Sequence, residues 1–351
     1  MERGMLGVLP RTPRLEDESY LDVMESVRNF AIREMFPRVA EQAASVVDRG
    51  PIPLRTLAAQ ADRLPLVGTW KRLMVSQQQR TWQKIRQSLH AEAATHLAAL
   101  DAAAAVRPDR LHIRPDFVVP RYATLDIHLQ PGGYVGDELA GLMFHHGTKV
   151  FYQGDNDQDQ LHRQVVDMVR LPADGQVRRA LDVACSIGQC TTALKQRLPE
   201  AEVWGLDVSA PLLRYAHKRA VDLDIDVHFV QALAEDTGLG GGEFDTVLVY
   251  ILFHEVPEQL FAPILAELFR VLRPGGTLTI VDAPPGHDLP VGNRLWLEFD
   301  SRYNCEPYSL AFVACDLPAL LHEAGFDRIE SGPTPTYLHC TTAIRPAAGS
   351  S

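Results

Sequence analysis

From Arg178 onward the chain alternates short apolar runs with helix-length segments, and that alternation leaves few folds open to it. RALDVAC (179–185), AEVWGLD (201–207), DVHFVQA (226–232), FDTVLVYIL (244–252) and RPGGTLTIVDA (273–283) read as strands, the last fed by a Gly-Gly turn. Helices are expected between them at 189–198, from Ser209 to Val221 and from Glu258 to Leu272. Strands and helices in this order call for an α/β fold: a doubly wound, Rossmann-like, mostly parallel sheet with helices on both faces. Ligands of such sheets bind at the carboxyl ends of the strands, near the point where strand order reverses.

Sequence features of a ligand site collect at those ends. Asp182-Val183-Ala184-Cys185-Ser186-Ile187-Gly188 leaves the first strand and enters a helix. Small residues there let the backbone pass close under a ligand, and helix N-terminal N–H groups receive an anionic group such as a carboxylate. Asp207 ends the second strand, where an acid accepts both hydroxyls of a ribose. Glu235-Asp236 follows the third strand, placed to flank an adenine. A dinucleotide fingerprint would put glycines at 184, 186 and 189, where this chain has Ala, Ser and Gln, so NAD is the weaker ligand.

The motifs LDVACSIGQ, GLDVSAPLLRYAHKRA, VQALAEDT, FDTVLVYILFHEVPE and LRPGGTLTIVD, in this order, resemble the class I S-adenosylmethionine-dependent methyltransferases. The resemblance is to the broad small-molecule group that includes ubiquinone-biosynthesis and "type 11" enzymes, and it covers about half the chain. It implies S-adenosylmethionine as cofactor and S-adenosylhomocysteine as product. Carried over by position, Asp182, Ala184, Ser186 and Gly188 surround the methionine end, Asp207 holds the ribose, and Glu235 and Asp236 lie beside the adenine. Val208 and Tyr250 complete the cofactor set. The family's usual glycines appear here as Ala184 and Ser186, and Leu233 replaces its usual Asp or Asn after strand three.

Methyl transfer from a sulfonium is an in-line displacement, so positioning the acceptor does much of the work. Phe253-His254-Glu255 follows the fourth strand, and His254 is the first candidate for a base, with Glu255 as its orienter. Residues 286–321 carry Trp296, Phe299, Tyr303, Tyr308 and Phe312 interleaved with Asp300, Asn304 and Glu306. That mix suits a lid over a compact organic molecule, with Trp296, Tyr303, Asn304 and Glu306 on the substrate side. Packing of the same aromatics on the sheet is the plainer use of them. In the strap, Tyr134, His145, His146 and Tyr152 are placed to close over the cofactor. The histidine pair lacks carboxylates at ligand spacing and reads as structural, so no metal is expected.

The rest of the chain declares no chemistry. Leu21, Met24, Val27, Phe30 and Ala31 recur at helical spacing over 15–49, ended by Asp48-Arg49-Gly50-Pro51, and 54–62 and 70–105 continue as helix. Val106 to Pro120 reads as a connection. The division expected is a helical capping or homodimerisation unit over 1–120, a strap and lead-in helix over 121–170, and the catalytic domain over 171–345 with a lid at 284–315. A formal charge of −11 argues against a phosphate-backbone partner, and Leu-Phe-His-Glu stands where base-amine methyltransferases have Asn/Asp-Pro-Pro-aromatic. Five scattered cysteines without a C-x-x-C pair fit reduced thiols in a cytoplasm, with neither export signal nor membrane span. The function expected is methylation of oxygen or carbon of a small acceptor in secondary metabolism. A macromolecular methyltransferase, or a cyclase or binding module that keeps the ligand without methylating, shares the same fold.

Overall fold

A computed structural model describes residues 3–46, 54–286 and 289–347. After a small β-hairpin (Met5–Leu6 with Leu9–Pro10), α1 (Leu15–Asn29) runs through a π-helical turn, Phe30–Met35, into α2 (Phe36–Ser45). Pro37 stands at the start of α2 and has no N–H to give to the preceding turn. The wider π turn absorbs that missing bond, so the single helix expected over 15–49 is an interrupted one. Its expected stop, Asp48–Pro51, lies outside the described residues. α3 (Leu54–Ala61), α4 (Pro65–His90) and α5 (Ala93–Val106) follow. The run read as one helix over 70–105 divides at Glu92, whose backbone is non-helical.

The connection after α5 contributes an edge strand, β1 (Leu111–His112), to the main sheet. The strap carries α6 (Ala140–Phe151), and α7 (Gln160–Asp167) leads into the alternating region. There β2 (Arg179–Val183), α8 (Gln189–Arg197), β3 (Glu202–Asp207), α9 (Ala210–Asp222), β4 (His228–Gln231), β5 (Phe244–Tyr250), α10 (Phe261–Val271) and β6 (Leu272–Asp282) take the expected places. The lid forms α11 (Val291–Tyr303) and α12 (Ser309–Ala314), with 287–288 of it outside the described residues. α13 (Leu317–Glu323), β7 (Asp327–Pro333) and β8 (His339–Ile344) close the chain.

The eight-stranded sheet has the order β1-β4-β3-β2-β5-β6-β8-β7, parallel through β6, with β8 and β7 antiparallel. Strand order reverses at β2, flanked by β3 and β5, so the crevice for a ligand opens beyond Val183, Asp207 and Tyr250. Alternate residues of each strand feed two apolar layers: Leu181, Val183, Val247 and Val249 meet Phe253, Phe261 and Leu268 on one face. Ala180, Leu248 and Phe229 meet Leu194, Leu213 and Ala216 on the other.

The helical module is joined to the lid through a shared interior. Trp70 of α4 is fully buried, gives its indole N–H to the Ala31 carbonyl at 3.1 Å, and packs on Phe36, Trp296 and Phe299. Beside it Lys71 Nζ lies 2.7 Å from Glu298 Oε2 of α11 and 2.9 Å from Asp62 Oδ1. Lys71 and Glu298 are both buried, and removing one partner leaves the other charge without compensation. Lys71→Met is expected to lower stability by about 3 kcal/mol, and Lys71→Met with Glu298→Met to recover most of it, read from urea unfolding midpoints. Equal midpoints for single and double variants would mean that the pair does not couple the module to the lid.

Candidate functional site

The loop that leaves β2 is built on left-handed backbone. Ala184 has φ 60°, Ser186 φ 52° and Gly188 φ 73°. Only the last is free of a Cβ, and a Cβ at Gly188 would come within 2.8 Å of Phe229 Cζ. Left-handed conformations at Ala and Ser persist where surrounding bonds fix them. Here the Cys185 N–H donates to the Leu206 carbonyl at 2.9 Å, and the Ser186 N–H to Asp207 Oδ2 at 2.8 Å. The other Asp207 oxygen accepts from the Ser209 N–H at 2.9 Å. Asp207 is buried, and burial outweighs these N–H donors, pushing its carboxyl up to about 6. Asp182, inside the same turn, accepts from Thr191 Oγ1 at 2.6 Å and is pushed up by burial to about 7.

A buried ion pair fixes the loop from behind. Arg219 of α9 donates to the Ile187 carbonyl at 3.0 Å and to Asp159, at the start of α7, at 2.5 Å. The Gln189 amide donates to the same carboxylate at 2.5 Å. The strap lies against the front, where Ser209 Oγ donates to the Tyr134 carbonyl.

These residues fit the expected cofactor. The Ser186 hydroxyl is buried with no partner, and a buried hydroxyl left unpaired invites a ligand. Asp207 uses one lone pair on each oxygen for backbone N–H groups, which leaves capacity for ribose hydroxyls. Ala184, Ser186 and Gly188 come together with Asp182 and Asp207. Val208 turns its carbonyl to the Gln231 amide at 3.1 Å. Glu235 is engaged by the Tyr122 hydroxyl at 2.9 and 3.2 Å, while Asp236 is exposed in the turn beyond it. Tyr122 gave no sequence signal, because it stands alone in a short 3-10 turn just after the prolyl connection. Tyr250 lies at the end of β5, its ring edge-on to His162 at 5.5 Å.

Beyond β5, Phe253–Glu255 forms a 3-10 turn. Asp282, at the end of β6, accepts from the Leu252 and Phe253 N–H groups at 3.1 and 2.8 Å and holds His254 Nδ1 at 2.5 Å. Burial works against charge on His254, but Asp282, with Glu255 and Glu306 behind it, holds the imidazole up to about 9. The Asp282 partnership was not visible in the sequence, since only the sheet brings residues 254 and 282 together.

The lid residues divide between two places. Trp296 and Tyr303 belong to the aromatic interior against the helical module, with Phe36 4.8 Å from Trp296 and Lys71 Nζ 5.2 Å from the Tyr303 ring. Asn304 and Glu306 instead enter a buried polar cluster with His128, Gln78 and Asp300. His145 and His146 are buried in α6. His145 Nδ1 meets the Tyr215 hydroxyl at 2.8 Å, and burial pulls His146 down to about 4.

Residues 180–276 match a family model described as a methyltransferase domain. A demethylmenaquinone methyltransferase of Thermus thermophilus is 35% identical over 123 residues, covering 35% of this chain and 54% of that protein. A fatty-acid O-methyltransferase of Mycolicibacterium smegmatis is 31% identical over 142 residues, 40% of this chain and 50% of that one. A solved putative O-methyltransferase of Nostoc punctiforme is 20% identical with a TM-score of 0.46, covering 57% and 60% of the two chains. The chain thus spans about half the length of these two curated relatives.

The His254–Asp282 pair has a measurable signature. The His254 ring should titrate near pH 9 and fall by more than about one unit in Asp282→Asn, followed by ring-carbon resonances. Because the folded value lies above the unfolded one, the pair's contribution to stability is whole below about pH 6.5 and is lost as pH rises through about 9.

Proposed function

This chain carries a class I S-adenosylmethionine-dependent methyltransferase domain, and we propose that the protein methylates an oxygen or carbon of a small organic acceptor. The observation that carries the proposal is the buried His254–Asp282 pair at the end of β5, beside the strand end that bears the cofactor loop. Two relatives point the same way, a demethylmenaquinone methyltransferase and a fatty-acid O-methyltransferase, both named for small acceptors. The charge of −11 supports an acceptor other than nucleic acid. A compact acceptor of the kind secondary metabolism supplies is the corresponding substrate class.

Bound S-adenosylmethionine supplies an electrophilic methyl group on a sulfonium. The chain's own residues do the rest. Asp207 holds the ribose hydroxyls, and Ser186 with the N–H groups at the start of α8 receives the amino-acid end. At an oxygen acceptor, the methyl group would be received in line by a lone pair of that oxygen, leaving the acceptor's proton for the chain's own residues to take. His254 takes the acceptor's proton at Nε2, while Asp282 keeps Nδ1–H in place and steadies the imidazolium that results. The lid and strap would exclude water from this step, the strap through the half-buried Tyr134, which reaches Glu255 at 3.4 Å.

Two outcomes check the assignment. Asp207→Ala should weaken S-adenosylmethionine binding by about tenfold or more in calorimetry, and unchanged affinity would remove the ribose role. With His254 held up to about 9, the neutral base is scarce at pH 7, so turnover should rise roughly tenfold per unit toward pH 9 and then level. A flat profile across that range would return His254 to a structural role. The function itself is tested by incubating the protein with methyl-labelled S-adenosylmethionine and an extract of its host. Label in a small organic-soluble product supports small-acceptor methylation. Label in macromolecules overturns it, and no transfer with the cofactor bound stoichiometrically favours a non-methylating protein.

A further inference from the structure

His128 sits in the strap at φ 54° and ψ 23°, a left-handed conformation that is uncommon for a residue with a side chain. Such backbone persists when its surroundings over-determine it, and it clusters where geometry serves function. Here the surroundings come from four parts of the molecule. Gln78 and Trp82 of α4 donate to the His128 carbonyl at 2.6 and 2.7 Å. Glu306 of the lid lies 2.9 Å from Nδ1, and Glu255, in the turn after β5, 3.6 Å from Nε2. Phe151, at the end of α6, packs on the ring at 5.2 Å.

The two carboxylates are unequal. Glu306 is 8% exposed and already receives the Asn304 amide at 2.9 Å. Glu255 is 19% exposed, and besides His128 it is reached by the Tyr134 hydroxyl at 3.4 Å. Glu255 therefore keeps accepting capacity on the side of the crevice, next in sequence to His254. The other charged groups that face the cluster are Asp300, Arg28 and His254, whose imidazole lies toward both Glu306 and Glu255. Burial pushes the Asp300 carboxyl well up, and Arg28 is satisfied by Gln78 at 3.2 Å and the Phe151 ring. Glu306 and Glu255 hold the His128 ring up to about 10 against the pull of burial, so it is a fixed cation at neutral pH.

We propose that His128 is a positioning residue of the acceptor site: clamped on Glu306, it aims Glu255 at an acceptor that offers a hydroxyl or amine hydrogen. This rests on the reading of methyl transfer beside Phe253–Glu255 given above. A simple carboxylate acceptor would meet Glu255 with like charge, while the His128 cation is already shared between two acids.

The test uses His128→Asn, because Asn accepts left-handed backbone and so removes the ring without disturbing the strap. Label transfer is measured against a dilution series of the small-molecule extract, alongside S-adenosylmethionine affinity and the melting temperature. The expected result, read at a temperature where both proteins are folded, is a rise of about tenfold or more in the half-saturating extract concentration with cofactor affinity held, while the melting temperature falls because buried Glu306 loses its cation. In Glu306→Gln the His128 ring resonance should titrate at least about one unit lower, as loss of a charged partner requires. Unchanged half-saturation in His128→Asn overturns the inference while leaving methyl transfer standing. So does loss of activity only in step with melting temperature, or an acceptor identified as a plain carboxylate. No transfer by the unmodified protein overturns both readings together.

Discussion

Much of the geometry described above depends on one buried ion pair. Arg219 and Asp159 lie with side chains 3% and 7% exposed, and the same guanidinium holds the Ile187 carbonyl while the same carboxylate takes the Gln189 amide. Two charges withdrawn from water are tolerated only when their hydrogen-bonding capacity is nearly filled. The pair comes close to that condition, with Arg219 Nε left unpartnered, by drawing the chain between Ala184 and Gln189 against α9 on one side and the start of α7 on the other. The loop's left-handed residues are held in consequence. Without this bracket, Ala184 and Ser186 would relax toward ordinary backbone and the Ser186 N–H would leave Asp207.

The alternating half of the chain was legible because its signals are local. Strand and helix periods from Arg179 to Asp282 are set by side chains that point to one layer or the other, as Ala180 and Leu181 do on successive positions. The lead acids Asp182 and Asp207 were readable for the same reason, since each ends or lies within a strand of obvious period. The edges were not. β1 is two residues inside a proline-broken connection, and β7 reads DRIESGP, with its charged residues exposed. Each sets only one apolar residue against the core, Leu111 in β1 and Ile329 in β7, too few for the alternation of a half-buried strand to be read.

The acceptor side resisted sequence reading for a different reason. Its partners are far apart in the chain: His254 with Asp282, Glu306 with His128, Gln78 with Asn304. Asn304 and Glu306 were singled out as polar residues among aromatic ones and Glu255 as the orienter of His254, and the structure places all three beside His128. Trp296 and Tyr303 were chosen on the same criterion, yet they serve the interior shared with α2 and α4. Composition distinguishes a lid from a core helix poorly, because both want aromatics on one face and acids on the other. What separates them is the turn after α11: Asn304 and Glu306, beyond it, leave the helical stripe and join the buried polar cluster around His128.

The two margins of the sheet have a bearing on how the protein behaves among its neighbours. An open strand edge is a template for pairing with another chain. On one side the brief β1 covers β4, and the flanking Arg107 and Arg110 are neutralised by Asp224 and Asp226. On the other, β7 presents Asp327, Arg328 and Glu330 to solvent and stops at Pro333, which has no N–H for a further ladder. The helical module and the sheet are thus tied by more than the shared acceptor crevice. The short segment that leaves the module also covers the sheet's parallel edge, so closure of that edge is built into the connection to the first hundred or so residues.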